Sequence, residues 1–186
     1  MSSPIQMSQS ELTRMERSRE RGNRMATTMT MLADHICSEE KAARAYRYLQ
    51  SWCGLNGFPG SEKFFMAESA DETIHMNQFQ AYIDDRWAST TPPPIESQPA
   101  MTSAPKSLLE CFSSALALEK TVLAELNAIT VQACRDGDGD AIRFLTAFQE
   151  VGVESIRQLT TYTQQLTLAN GDACALLLFD NEIGET

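Results

Sequence analysis

Proline is missing from the second half of this chain. All seven prolines lie at positions 4, 59, 92, 93, 94, 99 and 105 of 186 residues, so nothing after Pro105 carries the residue that breaks helix interiors. No apolar run approaches the roughly 18 residues of a membrane span, which removes a helical membrane protein. The start lacks the apolar segment of a secretory leader, so a cytoplasmic protein is expected, with a plastid location left open. The five cysteines (37, 53, 111, 134 and 174) are odd in number and include no CxxC pair. A disulfide framework or zinc knuckle is therefore excluded, and free thiols in a reducing compartment are expected. Period-two alternation long enough for a sheet is absent. Basic residues are scarce: 15 Lys and Arg stand against 25 Asp and Glu, a net charge of -10. Such a chain repels phosphate backbones and attracts cations, which excludes nucleic acid as a partner.

What remains is helical. Apolar residues make up 42% of the chain, enough for one domain with a real core. Residues 1–24, rich in Ser, Met, Arg and Glu, read as a flexible extension, and 25–186 as the folded domain. The apolar period predicts helices at about 25–53, 61–87, 107–134 and 140–168, with a short apolar piece at 173–179. The acidic end, Asp180 to Glu185, is expected to be exposed. Gly54, Gly57, Pro59 and Gly60 break the first pair, and Asp136-Gly-Asp-Gly-Asp140 separates the second, with Asp140 expected as N-cap. Two short turns and one long proline-rich connection, Thr90 to Pro105, describe an all-α four-helix bundle with one long crossover loop and a short fifth helix.

The chemistry sits at Glu72-Thr73-Ile74-His75. Glu and His three apart share one helix face. Glu on two helices combined with Glu-x-x-His is the ligand pattern of di-iron carboxylate bundles. Glu39 precedes Glu72 by 33 residues, and Glu119 follows it by 47. In helices of this length those positions fall near mid-helix on three different helices. Buried carboxylates without cationic partners are costly, and two hard cations accepting oxygen and nitrogen ligands would neutralise them. His35, four before Glu39, is expected on the helix surface.

Several segments together resemble the ferritin family. They are Ser38-Glu39-Glu40, Tyr46, Ser51-Trp52-Cys53, Gly57-Phe58, Phe64-Phe65, Asp71-Glu72-x-x-His75, Ala117-Leu118-Glu119-Lys120 and Phe144-Leu145. The closing Ala169-Asn-Gly-Asp…Phe179-Asp-Asn-Glu182 is most similar to cyanobacterial-type ferritins. The resemblance spans about residues 30–183. It implies a ferritin-like bundle assembled into a hollow 24-subunit shell that stores ferric mineral. The implied activity is a ferroxidase, oxidising Fe²⁺ with O₂ or H₂O₂ at a di-iron centre. Glu39 and His75 would hold one iron, Glu72 would bridge, and Glu119 would serve the second, with Tyr46 beside them to hydrogen-bond a ligand or to pass an electron. Glu68, Asp71 and Glu150 match acidic positions near an outer metal site; a solvated acidic face is the alternative.

The chain departs from the family pattern at Gly152, where helix four often supplies Gln or Glu. That opens a second expectation, a catalytically weak, mineral-nucleating storage subunit. Another di-iron oxidoreductase on the same bundle, or a small DNA-protecting cage, fits less well. There is no second Glu-x-x-His, and nothing indicates haem. Asp136, Asp138 and Asp140 fail as a calcium loop, since the twelfth position is Ala147. The resemblance places them at pores that steer Fe²⁺ inward.

Overall fold

The computed structural model describes the backbone of residues 9–87 and 103–185, and side chains from residue 27 onward within those limits, except that of Trp87. Five helices account for it: α1 (Gln9–Leu55), α2 (Pro59–Trp87), α3 (Leu108–Asp136), α4 (Gly139–Ala169) and α5 (Ala173–Glu185), with no strand among the described residues. At 1.5 Å per residue α2 and α3 are each about 43 Å long, while α1, at 47 residues, reaches about 70 Å.

The helix ends follow from the punctuation in the sequence. Ser107 caps α3 by accepting from Glu110 N, and Gly137 closes it at φ 69°. That left-handed turn costs glycine little. It brings Asp138, rather than Asp140, to Ala141 N at 3.0 Å as the cap of α4. At the front of the chain, α1 is continuous from Gln9. Residues 9–24, expected as an extension ahead of the first helix, have helical backbone. Their Glu and Arg content and lack of proline favour that. Residues 1–8 lie outside the described residues.

Pairings between helices give their directions. Ser69 Oγ donates to Ala43 O, while Tyr46 stacks on Phe65 and His35 meets Phe79 edge-on; α1 and α2 are therefore antiparallel. Thr28 reaches Asp136, and Tyr46 reaches Glu119, so α3 runs antiparallel to α1 and parallel to α2. Gln149 contacts Asn127 and Thr130, and further along Tyr162 meets Phe112, so α3 and α4 are antiparallel. A parallel α2–α3 pair is the relation a single long crossover requires. The connection itself, residues 88–102, lies outside the described residues.

Two apolar plugs fill the bundle. One gathers Tyr46, Leu49, Phe65, Phe112, Leu159 and Phe179. The other gathers Leu32, Phe79, Ile83, Leu126, Ile129 and Leu145. Glu39, Glu72 and Glu119 fall between them in the register of all three helices, and all three are buried. A polar layer thus crosses mid-bundle.

The end of the chain departs from expectation at Asp180 and Ile183, while Asn181, Glu182 and Glu185 are exposed as expected. Asp180 is 1% exposed, and Ile183 is buried as well. α5 continues six residues past Phe179. Asp180 accepts from Gly60 N (2.9 Å), Ser61 N (2.7 Å) and Ser61 Oγ (2.7 Å), which satisfies donors that the first turn of α2 cannot pair internally. The backbones nearly touch here. A Cβ on Gly60 would lie 1.8 Å from Asp180 O, and one on Gly184 would lie 2.9 Å from Gly60 Cα. The acidic end reads as solvated because no partner for it is visible in local sequence.

Candidate metal centre

Glu39 comes from α1, Glu72 and His75 from α2, and Glu119 from α3. Helical spacing aims each inward because each replaces an apolar position in its stripe. One ligand atom from each of Glu39, Glu72 and His75 falls within a cluster no more than 4.8 Å across. His75 Nδ1 lies 3.2 Å from Glu72 Oε2 and 3.9 Å from Glu39 Oε2. Glu39 Oε2 is buried without a hydrogen-bond partner in the protein. An orphaned buried carboxylate oxygen is expensive, and a divalent cation would satisfy it. Glu119 joins from the far side, holding the phenol of Tyr46, which donates to its Oε1. A cavity of about 90 Å³ opens among these groups, with Glu68 and Asp71 also on its wall.

The electrostatics follow from crowding acid groups in a dry place. Burial first, and then the charges of Glu119, Glu72 and Asp71, push Glu68 up to about 8. Burial, followed by Glu39, raises Glu72 to about 7 despite His75. Burial and the charge of Glu72 raise Glu119 to about 7, while the Tyr46 hydroxyl pulls the other way. Tyr46 is raised well above its ordinary value, by burial and then by Glu119. Without metal, Glu68, Glu72 and Glu119 therefore hold protons into the neutral range that a cation would displace, while Glu39, despite its burial, is kept low by His35 and His75.

α4 supplies the fourth wall through Phe148, Val151, Gly152 and Ser155. Phe148 meets His75 edge-on at 5.5 Å and fixes its ring. Gly152 sits on the cavity with no side chain to offer. A Cβ there would meet Leu123 Cδ1 at 3.4 Å, an ordinary contact. Glu150 is exposed and does not line the cavity. Of the three acidic residues expected at an outer site, the structure brings Glu68 and Asp71 to the centre and leaves Glu150 away from it.

Two participants were missed. His35, expected on the helix surface, is 2% exposed. Its Nε2 lies 2.8 Å from Glu39 Oε1 and its Nδ1 lies 3.2 Å from Glu125 Oε2. The Nε2 approach is an ion-pair contact rather than an aligned hydrogen bond, since that nitrogen has no partner along its N–H direction. Burial alone would depress His35. Glu125 and Glu39 outweigh it and lift the imidazole to about 9. The spacing His35–Glu39, i to i+4, was the available signal. Glu125 carried none, because its contact depends on how α3 is rotated against α1.

The turn carboxylates also differ from expectation. Asp136 accepts from Thr28 Oγ1 at 2.5 Å and from Gln132. Asp138 caps α4 and pairs with Arg86 at 2.6 Å. Both are buried, and only Asp140 is exposed, paired with Arg143. Two of the three groups expected to steer cations are occupied in closing the bundle end.

Comparison with known proteins agrees with this geometry. Residues 29–169 match the family model described as a ferritin-like domain. The chain is 30% identical over 157 residues to the bacterial non-heme ferritin of Staphylococcus aureus strain USA300, covering 82% of this chain and 90% of that one. It is 28% identical over 152 residues to that of Staphylococcus haemolyticus, with the same shares covered. Among solved structures, a humanized archaeal ferritin superposes with a TM-score of 0.79 at 21% identity, covering 85% and 94% of the two chains. An open-pore ferritin from Archaeoglobus fulgidus gives the same TM-score and shares at 20% identity. Such family and fold support a role in iron storage, and the bundle, its fifth helix and the sequence match together place the chain in the ferritin family.

Proposed function

We propose that this protein oxidises Fe²⁺ to Fe³⁺ at the centre formed by Glu39, Glu72, His75 and Glu119, and stores the ferric product as mineral inside a 24-subunit shell. The observation that carries the reading is the convergence of three ligand groups within 4.8 Å around a buried carboxylate oxygen that accepts no hydrogen bond from the protein. Iron is the substrate. Glu39 and His75 bind one ion, Glu72 lies between the two positions, and Glu119 serves the second. Two Fe²⁺ give up one electron each. O₂ accepts both with two protons and leaves as H₂O₂, or H₂O₂ accepts them and leaves as water. Carboxylates favour this direction because their negative charge stabilises Fe³⁺ over Fe²⁺. Glu68 and Asp71 on the cavity wall receive the incoming ion. Tyr46 orients Glu119 through its hydroxyl. Haem has no part in the reading.

Gly152 favours a second reading, a storage subunit that oxidises slowly, because the wall beside the second position offers no ligand. One experiment separates the two. Fe²⁺ at about two per subunit is mixed with metal-free protein in air, and ferric absorbance is followed by stopped flow. A fast phase that saturates near that ratio and vanishes in Glu72→Ala supports the ferroxidase. Slow oxidation that never saturates and is unchanged in Glu72→Ala supports the storage subunit instead.

A further inference from the structure

We propose that Glu125 and His35 form a positioning chain that holds one oxygen of Glu39 and thereby presents the other to the metal. The inference rests on the reading of Glu39 as a ligand. Glu39 alone does not determine which of its oxygens faces the cavity, because a carboxylate turns about its last bond. Here Oε1 stands 2.8 Å from His35 Nε2, while Oε2 accepts no hydrogen bond and lies 3.9 Å from His75 Nδ1 on the cavity side. The two oxygens are thus already divided between an anchoring role and a binding role.

His35 can act as an anchor only if its own ring is fixed. It is buried, and Phe79 meets its edge with centroids 4.8 Å apart. The remaining freedom is rotation of the ring about its bond to Cβ. Glu125 removes that by binding Nδ1 at 3.2 Å. Glu125 stands on α3 and is itself steadied by the hydroxyl of Ser38, so the chain ties α3 to the ligand face of α1. Its carboxylate is 41% exposed, and the chain therefore starts at the surface of the subunit. A ligand with its free oxygen set in advance loses less conformational freedom on binding, and outer partners of this kind typically contribute about 10- to 100-fold in metal affinity.

The half-exposed end of the chain permits a test that leaves the buried core intact. Co²⁺ alone is titrated into metal-free wild type, Glu125→Ala and Glu125→Gln, with affinity and the visible ligand-field bands recorded together. Glu125→Ala is expected to weaken Co²⁺ by about 10- to 100-fold and to alter band shape, with a lowered thermal midpoint because the buried Nδ1–H of His35 loses its partner. Glu125→Gln is expected to restore both readings, because its amide oxygen still accepts from Nδ1–H. Wild-type affinity and bands in Glu125→Ala would overturn the chain and leave the metal centre standing. So would equal impairment of Gln and Ala, since orientation would then not be what Glu125 provides. A wild type that takes up no Co²⁺ would remove the metal centre itself, and the chain with it.

Discussion

Tyr46 donates its phenolic hydrogen to Glu119 across the α1–α3 interface, where both side chains are buried. The contact joins an apolar plug to the polar layer, because the Tyr46 ring belongs to the core cluster and its hydroxyl to the site. Tyr46→Phe keeps the ring and removes only that donor. It is expected to cost about 1–2 kcal/mol of stability and to slow Fe²⁺ oxidation by about tenfold. Thermal unfolding and stopped-flow absorbance check the two parts. If both are unchanged, the hydroxyl neither stabilises the subunit nor orients Glu119.

Stability of the metal-free protein should fall as pH rises. Glu68, Glu72 and Glu119 are raised from an ordinary 4.5 to about 8, 7 and 7, mainly by burial. The folded state therefore holds protons that the unfolded chain releases. Stability from these groups is complete below about pH 4.5 and is lost as pH climbs through 7 to 8. His35, raised to about 9, has the same sign: its contribution is complete below its unfolded value and is lost toward pH 9. Glu39 and Glu125, held low, act only in acid. Thermal midpoints of chelator-treated protein should drop between pH 5.5 and 9. The accompanying loss of stability should be on the order of a few kcal/mol. A flat or rising profile would contradict it.

Gly152→Gln should strengthen the second metal position. The added Cβ has Leu123 as its nearest neighbour, at ordinary contact distance, and position 152 lines the cavity. Replacing a mid-helix glycine also adds about 0.5 kcal/mol of helix stability. Calorimetric Co²⁺ titration should show its weaker binding step tighten. An isotherm identical to wild type would mean that position 152 does not face the second ion.

Asp180→Ala should strip three hydrogen bonds from the start of α2. Two of the abandoned donors are buried backbone N–H groups, so the expected cost is about 2–3 kcal/mol. Asp180→Asn keeps one accepting oxygen and should fall between Ala and wild type. Urea midpoints measure the series. Equal stability across all three would show that the first turn of α2 has no need of α5.

Much of this arrangement was legible in the residues. Glu39, Glu72, His75 and Glu119 each interrupt an apolar stripe, so their proximity followed from helical period and helix length. The glycines and Pro59 between the first two helices, and Gly137 after α3, marked helix ends. What was hidden depended on contacts between helices. His35 and Glu125 meet only once α1 and α3 are rotated against each other, and no single helix records that angle. Asp136 and Asp138 looked like a free acidic turn until Thr28 and Arg86 arrived from other helices. The cap on α4 moved from Asp140 to Asp138 because Gly137 turns the chain earlier than composition suggests.

The pairing of Asp180 with Ser61 spans 119 residues of sequence. During synthesis, α2 leaves the ribosome long before the residue that caps it. At common translation rates the gap is on the order of 10 s. Through that interval the amides of Gly60 and Ser61 depend on water for the partner that Asp180 later supplies. The element made early is thus completed by one made late. A nascent chain stalled before Asp180 holds every proposed iron ligand and still lacks the cap on the helix that carries two of them.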